Sequence, residues 1–573
     1  MDIQEEILKT TCQLYSNLNL SRTDIQFVIE MMQNLITNIY NPFLYEKLSA
    51  NLHNAINDEV HEEIKKTFKK WQNPFLQFNR EDKRLTYYKK NSLLLGPEYC
   101  SIATKEITTS SGKKLLVKDQ HILMAHIPLN KSLKNLLEID GVYNAVIEYM
   151  EFLNNDKTAI TNFVQGQLWQ KQKSTFDKTG IALPLFGYFD DVETGNSLGF
   201  HAKNNEIGAV YVTLPCFPPN FASKLESIIL SDIFYSNDRQ QYGNAAIFKR
   251  FIEELNDLRE NGIDLIIKEK NGSRNLKVYF ITSLILGENL GINSIFGFTS
   301  SFSRTVWCRI CYAKTDVMQT LVGENESLLR TATKYKEDVQ IMRFCDSGIK
   351  EDCIFNVVKD FDVIENSSVD VMHDVYEGVC NYVIAEILLK LVVEDKILNL
   401  DYINYRMRSL DFSFESSNLP PPISLDYLKN NRKLKMSASE SLFFARYFGV
   451  ILGGVLDYDN VYWKLYKKLR ALIHFLTAPS LTYSHILQIE TLISELNDMY
   501  IQLFGNLKPK FHLLIHYPKQ ILTNGPVSKF SSMRFESYHR IIKLILSHSF
   551  SHQQILKSIS LRYVQSQMGL QFS

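Results

Sequence analysis

The chain has 573 residues, which at about 150 residues per domain allows three to four domains and excludes a mini-protein that lacks a core of its own. Lys plus Arg (63) equals Asp plus Glu (63), so no global basic excess speaks for nucleic acid, and any such function must rest on local patches. With 45% hydrophobic and 12% aromatic residues against 24 Gly and 15 Pro, disorder and low complexity are excluded as the main state.

The N-terminal Met-Asp-Ile-Gln-Glu-Glu lacks the basic and apolar regions of a secretory signal, and the longest apolar run, Leu442 to Leu456, carries Arg446 and is too short to span a bilayer. The expectation is an unsecreted protein with no membrane partner. Eight Cys in so long a chain are too few for a disulfide framework and are expected as reduced thiols or metal ligands.

Residues 1–150 are predicted as a mostly helical N-terminal region. Ser21 to Asp24 reads as a capping box ahead of the helical stripe Phe27, Val28, Met31, Met32, Leu35, Ile36 and Ile39. From Lys65 to Lys90, the cations Lys65, Lys66, Lys69, Lys70, Arg80, Lys83, Arg84, Lys89 and Lys90 alternate with Trp71, Phe75, Phe78, Tyr87 and Tyr88. Such a stretch suits a nucleic-acid backbone and its bases, the alternative being a solvated helix face over core aromatics.

Between Ile181 and Glu288 the pattern changes to strands. Ile181 to Phe189 and Ile207 to Leu214 are β-rich apolar runs joined by a turn carrying Gly195, Asn196 and Gly199. Leu225 to Tyr235 reads as a strand or a short helix, Asn244 to Glu260 as a helix ended by Gly262, and Ile263 to Ile267 and Leu276 to Leu286 as strands again. After about residue 375 the periodicity is helical, over Val375–Val393, Ser437–Val455, Val461–Leu476 and Ser484–Phe504, with a short basic loop at Lys429, Arg432, Lys433 and Lys435.

Cys308-Arg-Ile-Cys311 is a C-x-x-C that alone fits a zinc half-site, a redox pair or chance. His512 and His516, an i, i+4 pair on a predicted helix, are the distant partners that a tetrahedral Cys2His2 site needs; two incidental histidines on a short apolar helix are the alternative. Asp190 and Asp191 stand where the first strand is predicted to end, Glu288 where the last one ends, and Glu536 near the start of a helix. Acids so placed can converge on Mg2+, or can be turn formers and helix-terminal charges. Asp370 and His373 add a D-x-x-H, either a hydrogen-bonded pair or a helix cap.

Together, Phe189-Asp-Asp-Val-Glu-Thr-Gly-Asn-Ser-Leu-Gly199, Leu286-Gly-Glu-Asn-Leu-Gly291, Gly297-Phe-Thr-Ser-Ser-Phe302, the C-x-x-C, Val369-Asp-Val-Met-His-Asp-Val-Tyr-Glu-Gly-Val379, Lys508-Pro-Lys-Phe-His-Leu-Leu-Ile-His516 and Arg534-Phe-Glu536 resemble the CACTA (En/Spm-like) transposase-derived proteins. The resemblance runs in order over roughly residues 100 to 565. It implies an α/β fold with a ribonuclease H-like core (first part 175–375, with the C-x-x-C), a large all-helical insertion (376–505) and a closing segment (506–573) with the zinc-ligand helix and the last acid.

It further implies a DDE triad of Asp190 (with Asp191 as its neighbour in reserve), Glu288 and Glu536 on Mg2+ or Mn2+, and one structural Zn2+ on Cys308, Cys311, His512 and His516. Asp370 and His373 would be support. The implied work is DNA cleavage and strand transfer on transposon ends and target, in the nucleus, with self-association left open. Glu288 stands where the family usually has Asp, one methylene longer, so impaired chemistry or a catalytically inactive DNA- or protein-binding scaffold is the alternative. Only Cys12 and Cys100 occur in the first 150 residues, so no N-terminal zinc-finger reader is expected, and Lys65, Lys66, Lys69, Lys70, Arg432, Lys433 and Lys435 are the expected DNA contacts.

Overall fold

Runs that are apolar at every position rather than at alternate ones form strands buried on both faces, and this is how Ile181–Phe189 and Ile207–Val212 fold. The computed structural model describes residues 3–52, 58–70, 73–111, 114–194, 206–269, 272–341, 343–548 and 554–569. Its strands β1 (Glu98–Ser111), β2 (Lys114–His126), β3 (Ile181–Glu193), β4 (Glu206–Thr213), β5 (Ile229–Tyr235), β6 (Ile263–Glu269) and β7 (Gly272–Leu286) make one seven-stranded sheet in the order β1-β2-β5-β4-β3-β7-β6. All neighbours are antiparallel except β3 and β7, which run parallel with Tyr188 opposite Leu286 as their last pair.

The pleat of β3 sorts what covers each face. Phe189 meets Phe248 of the helix Ser236–Glu260, whereas Tyr188 stacks on Phe535 of the helix Ser532–Ser547, so these two helices lie on opposite faces. The first helix is broken at Gly243 (φ 83°), and its longer part starts at Asn244, the predicted boundary, burying Ile247, Phe251, Leu255 and Leu258. Gly262 (φ 64°) follows its end as predicted. Residues 381–504 are helical in the described structure, apart from loops and a single bridge from Leu481 to Ile160.

Three differences from the sequence reading stand out. The mostly helical region 1–150 contains the hairpin β1–β2, whose Ala125 and His126 pair with β5 and so join the region to the sheet. Over residues 98–106 the side chains of its outer strand are exposed or half-buried and show no apolar alternation, so no hydrophobic periodicity announces it. The helix Arg22–Asn34 has the predicted capping box at Ser21 but buries Ile25 and Ile29, leaving Phe27, Met31, Leu35 and Ile39 more than half exposed. A stripe states which residues share a face, not that anything covers it. Finally, β3 does not end at Phe189 but continues to Glu193 along β4. Gly195, Asn196, Gly199 and Trp71 lie outside the described residues.

Candidate functional site

Asp190 and Glu288 each stand two residues beyond the last parallel pair of β3 and β7. There the strands part: β3 runs on with Asp190 opposite Ala209, and β7 gives way to the helix Asn289–Ile295, capped by the Glu288 backbone. Gly287 makes the close approach possible, since a Cβ there would lie 2.5 Å from the Phe189 carbonyl. Both acids line an open cleft with Asp191, Glu206 and Glu351, where Arg239 is the sole cation among the described residues.

Asp190 shares its face with the helix that carries Glu536. Its carboxylate accepts from the Tyr188 hydroxyl at 3.2 Å and from the Asp191 amide at 2.9 Å, and His539 Nε2 is 3.9 Å away. Burial, reinforced by the charge of Glu536, pushes the Asp190 carboxyl up to about 8 against the opposing pull of His373. Asp191 points the other way, accepting from Ser236 Oγ at 2.6 Å and pairing with Arg239 at 3.4 Å, so it is committed to the opposite layer.

The D-x-x-H supports this arrangement. His373 Nδ1 meets the Asp370 carboxylate and its Nε2 lies 3.2 Å from Glu536 Oε1. Burial would lower the imidazole, but Asp370 and Glu536 outweigh it and raise His373 to about 11, so it is an imidazolium at neutral pH. Asp370 also accepts from the Ser532 amide at 3.0 Å, fixing the start of the helix that bears Glu536.

A polar network that sequence reasoning missed joins the acids to the C-x-x-C. Asp374 is fully buried and accepts from Asn289 Nδ2 at 2.6 Å and the Tyr517 hydroxyl at 3.1 Å, with Lys510 Nζ at 3.6 Å. Arg309, between the two cysteines, donates to Asn289 Oδ1 at 2.8 Å. The one available signal was Asp374 beside His373, which had no assigned role.

Cys308, Cys311, His512 and His516 come together as predicted, buried and with their ligand atoms all within 4.8 Å of one another. Cys308 Sγ is 3.6 Å from His516 Nε2 and Cys311 Sγ 3.3 Å from His512 Nε2, close to the roughly 3.5 Å edge that Zn–S and Zn–N bonds of about 2.3 and 2.0 Å give a tetrahedron. Glu324 holds His516 Nδ1 at 2.6 Å and so turns Nε2 to the sulfurs, as carboxylates behind ligating histidines do. Burial raises the Cys308 thiol, but Cys311, His516 and His512 beside it prevail and hold it well below the usual thiol range. This cluster could hold a metal such as zinc. The two histidines are not on one helix: His512 is in Pro509–Leu514 and His516 is the residue that starts Tyr517–Asn524, the turn between them preserving the i, i+4 approach.

Among the described residues this is the one group of three or more His, Cys, Asp or Glu side chains with ligand atoms so close together; Asp190, Glu288 and Glu536 are not gathered on a single point. Of the predicted DNA contacts, Lys65 pairs with Glu62 at 3.3 Å on an exposed helix that also carries Glu59 and Glu63, and Lys66 and Lys69 are exposed on it. Lys70 ends that helix. Arg432 is tied to the buried Glu386, Nε to Oε1 at 2.8 Å, Lys433 is half-buried, and Lys435 is exposed beside the Tyr427 ring. No helix among the described residues is long and apolar enough to cross a membrane. Compared with known proteins, the chain matches no family model and no curated protein.

Proposed function

We propose that this chain is a transposon-derived protein of the CACTA (En/Spm-like) kind, with a ribonuclease H-like core built for metal-dependent phosphodiester chemistry on DNA. The observation that carries the reading is that Asp190 and Glu288 stand at equivalent positions, each two residues beyond the last pair of the parallel ladder of β3 and β7, while Glu536 acts on Asp190 from a helix on the same face. The order β5-β4-β3-β7, three antiparallel strands and then a parallel neighbour, supports a ribonuclease H-like arrangement, with residues 376–505 as the insertion before the last acid. The partners are transposon ends and target DNA, the compartment is the nucleus, and joining two ends favours self-association.

Mg2+ or Mn2+ held by Asp190, Glu288 and Glu536 would supply stabilisation of the attacking and leaving oxygens. The chain's own residues set the conditions for it. Asp190 has to lose its proton to act as a ligand, the positive His373 neutralises Glu536 while it waits, and Asp370 fixes the helix on which Glu536 is mounted. A second reading, a catalytically inactive scaffold that binds DNA or protein, is favoured by the carboxylates not being gathered and by Glu536 being tied to His373.

The test is a Mg2+ and Mn2+ titration of cleavage on a labelled duplex. Misplacement by about 1 Å can cost about 10²-fold in rate, so weak cleavage is expected from the wild type, more from Glu288→Asp, and none from Asp190→Ala or Glu536→Ala. Activity indifferent to Glu536→Ala would overturn the mechanism. Folded protein inert in every form, yet binding DNA, would establish the scaffold.

A further inference from the structure

The helix Ser532–Ser547 has a second side. Away from Glu536, Arg534 lines a separate cleft of about 440 Å3 together with Arg446 and Lys529, and no Asp or Glu is among the described residues lining it. In a chain whose opposite charges balance at 63 each, three cations without an acid among them are a local excess that needs a reason.

Their pairing is incomplete. Arg534 donates one Nη to the Lys224 carbonyl at 2.7 Å, but its Nε is buried without a partner. Among the described residues no carboxylate lies within 4 Å of Arg534 or Lys529, and Arg446 meets Glu415 only at 3.9 Å. The half-buried, underpaired guanidinium groups of Arg446 and Arg534 cost free energy that a bound anion would recover, and the exposed Lys529 adds a third positive charge beside them. The rest of the wall mixes polar side chains such as Thr213, Ser528 and Ser537 with rings, of which Tyr149 is half-buried and Phe217 and Tyr376 are more deeply set. An acidic peptide would use the charges but not such walls; a nucleotide uses both, its phosphate on the cations and its flat base against the rings.

The position agrees. Phe186 in this cleft and Asp190 lie on the same face of β3, four residues and so about 13 Å apart. A strand reaching the acids from this side would cross the cleft within a few nucleotides.

We propose that this cleft binds a nucleotide, its phosphate on Arg446, Lys529 and Arg534 and its base against the aromatic wall. The inference does not depend on whether the acids cut.

The experiment is fluorescence anisotropy on the full chain with a labelled oligo(dT) of about ten nucleotides, over a range of salt, with dTMP and inorganic phosphate as competitors. Arg446→Gln with Lys529→Gln should weaken binding about tenfold or more and lower the slope of log affinity against log salt by about two, with the melting temperature unchanged. Lys529→Glu alone should act in the same direction. Displacement by dTMP at concentrations as low as the oligomer's assigns the cleft to a free nucleotide, and weak displacement to a nucleotide within a strand. Unchanged affinity and slope in the folded double variant, or equal displacement by polyglutamate, would overturn the proposal.

Discussion

Asp190 and Asp191 differ by one position, and the pleat of β3 turns them to opposite layers, one beneath Glu536 and the other onto Arg239. Their dipeptide could be read as a strand-end acid pair from the sequence, but which member faces the helix depends on a register that only pairing with β4 and β7 sets. Asp190 is held in a place that disfavours its charge, its carboxyl raised to about 8 from the ordinary 3.8. A group raised in the fold stabilises it below the unfolded value and loses that contribution as pH climbs through the folded value. Asp190→Asn should therefore melt close to the wild type near pH 4 and above it at pH 8 and beyond, by an amount on the order of a few kcal/mol. Thermal melts of both proteins across that range check it, and equal melting temperatures at pH 8 would contradict the strained carboxylate.

At the scale of elements, the hairpin that the sequence hid is pinned by a buried charge cluster. His126 of β2 lies between Asp232 of β5 at 2.8 Å and Glu254 of the helix Ser236–Glu260 at 2.9 Å, all three almost wholly inaccessible. Burial opposes the imidazolium, yet the two carboxylates raise it to about 10, so three elements share one cation. Here too the folded value exceeds the unfolded one, so the cluster's contribution is complete below about pH 6.5 and fades as pH approaches 10. His126→Gln should cost on the order of 3 kcal/mol at pH 6, since it strands two buried carboxylates, and the gap to the wild type should close by pH 10. Urea melts at both pH values measure it; a constant gap would make the loss one of packing instead. The helix Arg22–Asn34 carries the complementary lesson, because its periodicity was legible while the face that meets the core, Ile25 and Ile29, was settled by what lies beside it.

Across the whole molecule, the Cys2His2 cluster joins a loop after β7 to a helix junction about 200 residues later. Metal that closes so long a loop binds the fold and not the unfolded chain, so its removal should lower stability strongly. Purified protein should carry about one zinc by elemental analysis, and Cys308→Ser or chelation should lower the melting temperature and make the segment from residue 381 to 504 more open to protease. Zinc-free protein of unchanged stability would make the cluster a packing feature alone.

What was readable beforehand followed from local rules. Apolar runs marked β3, β4 and β7 and left β5 open between strand and short helix, 3.6-residue periodicity marked Val461–Leu476 to the residue, and the chemistry of thiols and imidazoles singled out the four ligand candidates. These depend on neighbours in the chain, which the sequence contains. The hairpin β1–β2, the His126 cluster, the Asp374 network and the cationic cleft depend on residues separated by tens to hundreds of positions. No periodicity encodes such a meeting, because the cost of burying each charge, and the partner that offsets it, exist only once the sheet has closed around them.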